Sequence, residues 1–298
     1  AKPFQAIPLV ESGAAEAFRL TPRELALACA SHRGLEMHVE AVAAMQMKIG
    51  VSEEDLLCGT HPPEDPQVAK HLHREGLEPT PNRHNCSGKH TGMLAQAKHR
   101  GLPLADYINP SHRVQQSILS AFAEMCSLKP GEVVIGIDGC SAPNFAVPLL
   151  SAATAYARLA DPRRLPAARA LTLRTIFAAM TSHPDMVRAP GGFDTELMHA
   201  RPGVIVAKGG AEGYYGMGVA AGALSHDSPG LGIALKIADG AGRAVPPVAL
   251  EALRQLGILD DTALERLAGF GYAPRTPVKN RRGLAAGEMR PCFELIHP

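Results

Sequence analysis

The chain has 298 residues, of which 46% are hydrophobic and 20% are charged, a composition typical of a globular protein with a sizeable core. Its formal net charge is +1 and no basic stripe runs along it, which argues against nucleic acid as the main partner. No apolar run approaches the length that spans a bilayer, so the sequence predicts no membrane segment.

The cysteines are scattered through the chain instead of being concentrated in one short segment. Disulfide frameworks are typical of small secreted domains with dense cysteines, so we expect a reducing, cytoplasmic compartment. Free cysteines usually behave as small buried hydrophobic side chains. We expect this of Cys29, Cys58, Cys126 and Cys292.

The first 130 residues are predicted to be mainly helical. Thr21 and Glu24 form a capping-box pattern around Pro22, which favours a helix start at this point. Further helices are predicted over residues 39–48, 66–75, 90–100 and 112–125. Glycines end the first three, and Ser111 is expected to cap the last.

Strand patterns begin after residue 131. Residues 132–137 predict a buried strand that ends at Asp138, and residues 203–207 and 231–237 predict two more. Helices are expected near residues 148–159 and 166–180 and from residues 247 and 261, with a terminal hairpin over 278–289. The sequence thus predicts an α/β or α+β fold in one domain, residues 1–298, with a helical part (about 14–130) beside a sheet-containing part (about 131–298).

Three polar, glycine-flanked loops stand out from this pattern. Residues 85–92 (NCSGKHTG) hold a thiol, hydroxyls, an amine and two glycines, and residues 137–140 (IDGC) and 207–213 (AKGGAEG) lie downstream. Fold alone does not require polar groups at this density. We expect the three loops to form the walls of one site.

Cys86, Lys89 and Cys140 are candidate metal ligands. Cys-x-x-Lys places a thiol and an amine about one helical turn apart, and paired thiolates suit zinc. A lysine binds a metal only when its amine is neutral. Spacing alone favours the simpler interpretation, that two cysteines so far apart in sequence are unrelated. His84 and His90 would be more conventional ligands, or else surface or hydrogen-bonded histidines.

Lys208 and Ser31 are candidate catalytic residues. Lys208 leaves a predicted strand into paired glycines, as in the Lys-Thr-Gly element of serine β-lactamases and penicillin-binding proteins, although exposed turn lysines are common. Ser31 and His32 follow a helix. A serine becomes a nucleophile only beside a base, and otherwise it commonly bonds its own backbone.

Lys2 lies in the first turn of a predicted helix. In Ser-x-x-Lys enzymes the lysine follows the serine by one turn on the same helix face. The serine that would match Lys2 falls before Ala1. Because apolar residues begin at once, we expect an N-terminally truncated chain whose first strands and first serine precede Ala1.

Several segments, in order, resemble the thermolabile, Rhizobium etli-type (class 3) L-asparaginases: residues 2–13, 29–32, 85–90, 138–140, 208–213 and 287–291. The resemblance implies a sheet related to that of serine β-lactamases and Ser-Lys glutaminases. It also implies hydrolysis of L-asparagine to L-aspartate and ammonia through an acyl-enzyme. We further expect a homodimer.

The resemblance implies two Ser-Lys tandems. Ser31 with Lys208 would form one, and Lys2 would be the lysine of the other, whose absent serine is the expected nucleophile. Backbone N–H groups near a glycine loop would hold the oxyanion.

The resemblance also implies a zinc site. Cys86, Lys89 and Cys140 match the zinc ligands, with water as the fourth. Asp138 would lie beside the metal and the substrate amine, and His32 would also bind substrate. Ser87 would then support the loop.

Two positions depart from the family's pattern. Arg33 and Leu35 stand where a small polar residue and a glutamate usually follow the Cys-Ala-Ser-His motif, which affects the expected substrate affinity more than the fold. Two alternatives stay open. One is a related serine amidase, glutaminase or β-lactam-recognising enzyme, and the other is a zinc-binding protein without catalysis.

Overall fold

The computed structural model describes residues 1–296 as a mixture of helices and small sheets. The helices are α1 (Lys2–Gln5), α2 (Ile7–Glu11), α3 (Ala14–Ala17), α4 (Pro22–Ala28), α5 (Glu36–Ile49), α6 (Pro66–Glu75), α7 (Ser87–His99), α8 (Arg113–Met125), α9 (Leu149–Ala160), α10 (Ala167–Ser182), α11 (Pro184–Val187), α12 (Phe193–Ala200), α13 (Val245–Gln255) and α14 (Asp261–Gly269). The strands are β1 (Val134–Ile137), β2 (Pro143–Ala146), β3 (Ile205–Gly209), β4 (Tyr214–Val219), β5 (Leu231–Lys236), β6 (Thr276–Lys279) and β7 (Ala285–Met289).

The main sheet is the antiparallel meander β3-β4-β5. Two separate hairpins, β1-β2 and β6-β7, complete the strand content of the described chain. Local pairing of this kind, with helices packed on the sheet, is an α+β arrangement. Within residues 1–296, no helix combines the length and the apolarity that a membrane crossing requires.

Helix α9 lies unusually close to β4 and β5, because glycines face it. A Cβ at Gly216 would stand 2.1 Å from the Tyr156 ring, and one at Gly232 would stand 1.8 Å from the Ala153 carbonyl oxygen. Neither position has space for a side chain. The close approach therefore fixes the distance between sheet and helix layer.

Helix α7 runs through the interior. Every residue from Ser87 to Ala97 is buried, so no face of this stretch is exposed to solvent. A Cβ at Gly88 would stand 2.4 Å from the Leu27 carbonyl oxygen, and one at Gly92 would stand 3.4 Å from Ala28 Cβ. These glycines let α7 cross α4 at backbone distance, which brings the end of α4 to the start of α7.

Many of the predicted elements are confirmed. Thr21 and Glu24 form the reciprocal capping box, and Asp65 caps α6 through the amides of Gln67 and Val68. Gly50 and Gly76 end their helices in the left-handed conformation, as glycine favours. The terminal hairpin is also present.

Three expectations are wrong. Cys292 is exposed and not buried as expected, whereas Cys29, Cys58 and Cys126 are buried. His112, not Ser111, caps α8, because its Nδ1 accepts from the Val114 amide. The strand at 134–137 forms but is exposed along its whole length, since it pairs only with β2. Strand β4 was not expected, because Gly216 and Gly218 obscure its alternating pattern. The helices expected near residues 148–159 and 166–180 are present as α9 and α10, whereas α11 and α12 were not expected.

Substituting Gly232 tests the close contact between β5 and α9. We expect Gly232→Ala to lower the free energy of unfolding by more than about 2 kcal/mol, because the new methyl group overlaps backbone atoms of α9. Gly136→Ala is the matched control, since a Cβ at this strand glycine meets nothing within 4 Å. Urea unfolding measures both, and equal stability of the two variants would contradict the packing described here.

Candidate active site

The three polar loops meet at one cavity of about 660 Å³. Its volume is in the range of small-molecule sites. The walls are completed by the start of the chain, the loop after α4 and the segment between α11 and α12. Residues with reactive or charged side chains that line it include Lys2, Ser31, Arg33, Glu64, Cys86, Asp138, Cys140, Arg188, Asp194 and Lys208.

Ser31 is held just beyond the end of α4. Its backbone N–H donates to the Val187 carbonyl at 3.0 Å, which fixes the loop against α11. Its side-chain Oγ accepts a hydrogen bond from Lys2 Nζ at 2.8 Å. The site therefore contains a hydroxyl paired directly with an amine.

Lys208 lies on β3 and its side chain is 3% exposed. Its Nζ donates to the Gly209 carbonyl at 2.7 Å and lies 3.5 Å from Asp194 Oδ2. The expected partner of Ser31 was Lys208, but in this structure the amine bonded to Ser31 is that of Lys2.

Burial lowers the pKa of Lys208 to about 8. Asp194 opposes the shift, and the positive charges of Lys2 and Arg188 add to it. A buried amine in this range is partly neutral near physiological pH and can accept a proton. The position of Lys208 thus gives it a basicity suited to acid-base chemistry.

Asp194 is a site residue that the sequence reasoning missed. It lies in the first turn of α12, buried, and accepts the Gly209 amide at 3.0 Å. Burial would raise its pKa, but the charges of Lys208 and then Arg188 hold it below its usual value. An aspartate in a first helical turn looks like an ordinary dipole partner in sequence, so no local signal marked it.

The glycine loop does not offer its first two amides to an oxyanion. The Gly209 N–H donates to Asp194, and the Gly210 N–H donates to the Tyr214 carbonyl at 2.9 Å. Both donors are therefore engaged in holding the loop. Other groups have to stabilise negative charge at this position.

The thiols of Cys86 and Cys140 meet in the same cavity. Both sulfurs and a carboxylate oxygen of Asp138 lie within 4.8 Å of one another. Lys89, one turn along α7, donates from Nζ to Cys140 Sγ at 3.0 Å. Two thiols, an amine and a carboxylate form a donor set that suits a borderline metal such as zinc.

The environment of this group favours a thiolate. A hydrogen bond from the Cys140 thiol holds the pKa of Cys86 well below its usual range, and the charges of Lys2 and Lys89 act in the same direction against burial. Burial alone would lower the pKa of Lys89, but the two sulfurs outweigh it and raise the pKa. Thiolate is the ligand form that metals bind.

The nearby histidines form hydrogen bonds within the walls of the cavity. The Nδ1 atom of His84 accepts the Cys86 amide at 3.0 Å, and that of His90 pairs with the Tyr107 hydroxyl at 2.7 Å. These hydrogen bonds agree with the simpler interpretation of both residues.

His32 is fully buried behind the cavity wall. Its Nδ1 accepts the Gly34 amide at 3.1 Å, which places the ring proton on Nε2, and Nε2 donates to Ser87 Oγ at 2.9 Å. Ser87 Oγ in turn donates to the Asn82 carbonyl. With both ring nitrogens engaged, this placement does not support the expected role of His32 in substrate binding, whereas Ser87 does support the loop.

Comparison with known proteins gives a match over nearly the whole chain. The family model described as L-asparaginase II matches residues 1–291. The matched span includes every residue that lines the cavity. No curated protein matches the chain.

Proposed function

Because the chain belongs to the L-asparaginase II family, we propose that it hydrolyses L-asparagine to L-aspartate and ammonia by Ser-Lys acyl-enzyme chemistry beside a zinc site. The observation that carries this proposal is the 2.8 Å hydrogen bond between Lys2 and Ser31 inside the cavity. On the resemblance of its motifs, we also propose that the chain is of the thermolabile, Rhizobium etli type, with a β-lactamase-related fold and a homodimeric assembly.

Ser31, and not the serine expected before Ala1, is the proposed nucleophile, because its hydroxyl is bonded to Lys2. Among the described residues that line the cavity, it is the one with an aliphatic hydroxyl. A serine hydroxyl is a weak nucleophile until a base takes its proton. Lys2 Nζ is within hydrogen-bond reach of this proton.

The proposed reaction transfers one acyl group in two steps. Neutral Lys2 takes the Ser31 proton while Oγ forms a bond to the side-chain amide carbon of the substrate. The protonated amine then gives that proton to the leaving nitrogen, so that ammonia departs and an ester to Ser31 remains. Water attacks the ester with Lys2 again accepting a proton, and Ser31 regains its hydrogen as aspartate leaves.

Lys208 and Asp194 set the charge around this pair. The positive charge of Lys2 adds to the burial that lowers the pKa of Lys208, so Lys208 is the amine of this cavity that can be neutral and accept a proton. The low pKa of Lys208 therefore keeps a neutral amine within the lysine pair. In the protonated form, either amine also stabilises the negative oxygen of the tetrahedral intermediate.

Cys86, Lys89 and Cys140 would hold the zinc ion, and the Asp138 carboxylate lies close enough to both sulfurs to take the place expected for water. When bound, zinc supplies Lewis-acid polarisation and orientation of a substrate group. Lys89 has to lose its proton before it can bind the metal. If water were the fourth ligand instead, the Asp138 carboxylate would be free to attract the substrate's ammonium group.

Removing the Ser31 hydroxyl tests the proposed nucleophile. We expect Ser31→Ala to lower kcat for ammonia release from L-asparagine by at least about 1,000-fold, with the fold intact by circular dichroism. Ser117→Ala, which changes a half-buried serine of α8 that does not line the cavity and bonds to the Arg113 carbonyl and to Arg100, should leave kcat unchanged. Full activity of Ser31→Ala would remove Ser31 from the mechanism.

Acylation by a β-lactam, with no ammonia released from L-asparagine or L-glutamine, would favour the related serine amidase.

The pH profile tests the lysine pair. Because Lys208 can accept a proton only in its neutral form, kcat/KM should rise as pH increases through about 8, the pKa of Lys208. Asp194→Asn removes the anion that favours protonated Lys208, so the rise should move to lower pH by about one unit. Asp227→Asn is the matched control, since that carboxylate is almost fully exposed. An unchanged profile in Asp194→Asn would contradict the role of Lys208.

Zinc titration tests the metal site. We expect Cys86→Ser and Cys140→Ser each to weaken zinc binding by at least about 10-fold, because each removes a thiolate ligand. Cobalt substituted for zinc should give a sulfur-to-metal absorption band that both variants lose. Cys292→Ser, which changes an exposed cysteine, should bind like the unchanged protein. Equal zinc binding by all three variants would exclude this site.

A further inference from the structure

Arg33 lies on the same cavity wall as Ser31 and Arg188. Its backbone N–H donates to the Arg188 carbonyl at 3.0 Å, next to the hydrogen bond from Ser31 to Val187. The loop after α4 and the end of α11 are thus paired along their backbones. Because both arginines line the cavity, this pairing places two guanidinium side chains on adjacent segments close to the proposed nucleophile.

Each carboxylate that lines the cavity already lies beside another polar group of the protein. Asp194 lies against Lys208. Glu64 accepts from Arg188 Nη2 at 2.6 Å and from Asn85 Nδ2 at 2.8 Å. Asp138 stands with the thiols. Within residues 1–296, no carboxylate comes within 4 Å of the Arg33 guanidinium, so the cavity has a half-buried cation that lacks an anion.

Arg188 retains donors beside Arg33. Its Nη1 donates to the Ser31 carbonyl at 3.0 Å and its Nη2 to Glu64, whereas a guanidinium has five N–H groups. Ser31 is therefore held by a residue that can still face a ligand. An arginine fork matches the two oxygens of a carboxylate, which makes this pair a better carboxylate site than two amines would be.

We propose that Arg33, with Arg188 beside it, binds the free carboxylate of the substrate, so that the enzyme selects amides of amino acids over amides without a carboxylate. This inference rests on the proposed function and adds the group that orients the substrate relative to Ser31. Substrate carboxylate completes the charge pairing that the protein's own residues leave unfinished.

Two matched substrates test the proposal. L-Asparagine and 3-aminopropanamide carry the same reacting amide and an amine, but only the first has a carboxylate. We expect Arg33→Gln to lower kcat/KM for L-asparagine by about 10- to 100-fold, mainly through KM, and to change the value for 3-aminopropanamide by less than about threefold. Arg33→Lys should recover part of the loss, because it keeps the charge without the fork. Arg74→Gln, which removes an exposed arginine from α6, should behave like the unchanged protein.

A binding measurement separates this proposal from the proposed function. Calorimetry with L-aspartate needs no turnover, and Arg33→Gln should raise its Kd by at least about 10-fold. That result supports the carboxylate site even in a protein that releases no ammonia. Equal losses on both substrates, an unchanged KM for L-asparagine, or L-aspartate binding that is absent or insensitive to Arg33→Gln would each overturn the proposal, even where asparagine hydrolysis is confirmed.

Discussion

The site depends on the crossing of α4 and α7 at backbone distance. Only glycine fits at position 88, because a Cβ there would lie 2.4 Å from the Leu27 carbonyl oxygen. The contact brings the loop that carries Ser31 beside the start of α7, where Cys86 is the N-cap and Lys89 lies in the first turn. The buried hydrogen bonds from His32 to Ser87 and from Ser87 to Asn82 then lock the two segments together. The contact between α4 and α7 therefore places the Ser31 hydroxyl near Cys86 and Lys89.

Charge is the second organising principle of the cavity. A buried ion without a partner destabilises the fold. In this cavity Asp194 is paired with Lys208, and Glu64 is paired with Arg188. The same burial lowers the basicity of Lys208 to the range where a lysine exchanges protons near neutral pH. Stability and chemistry thus depend on the same contacts, since the carboxylate that anchors β3 also tunes the amine on it.

Local signals in the sequence predicted a good part of this arrangement. The Thr21 capping box, the Asp65 cap and the glycine stops depend on neighbouring residues alone, and the three polar loops were expected to meet. Tertiary contacts decided the rest. The bond between Lys2 and Ser31 and the burial of Asp194 beside Lys208 join residues far apart in sequence, so neither produces a local pattern. The glycines of β4 interrupt its alternating pattern because they pack against α9. The exposed β1 has the composition of a core strand but only β2 for a partner.

The burial of α7 makes its residues less tolerant of substitution than those of the loop after α4. Between Ser87 and Ala97 every side chain is surrounded by protein, so a change at any of them disturbs packing. Arg33, by contrast, lies in a loop whose backbone hydrogen bonds are independent of its side chain. Substitution of Arg33 can therefore change the charge of this cavity wall with little loss of stability, whereas substitution between Ser87 and Ala97 disturbs the packing of α7.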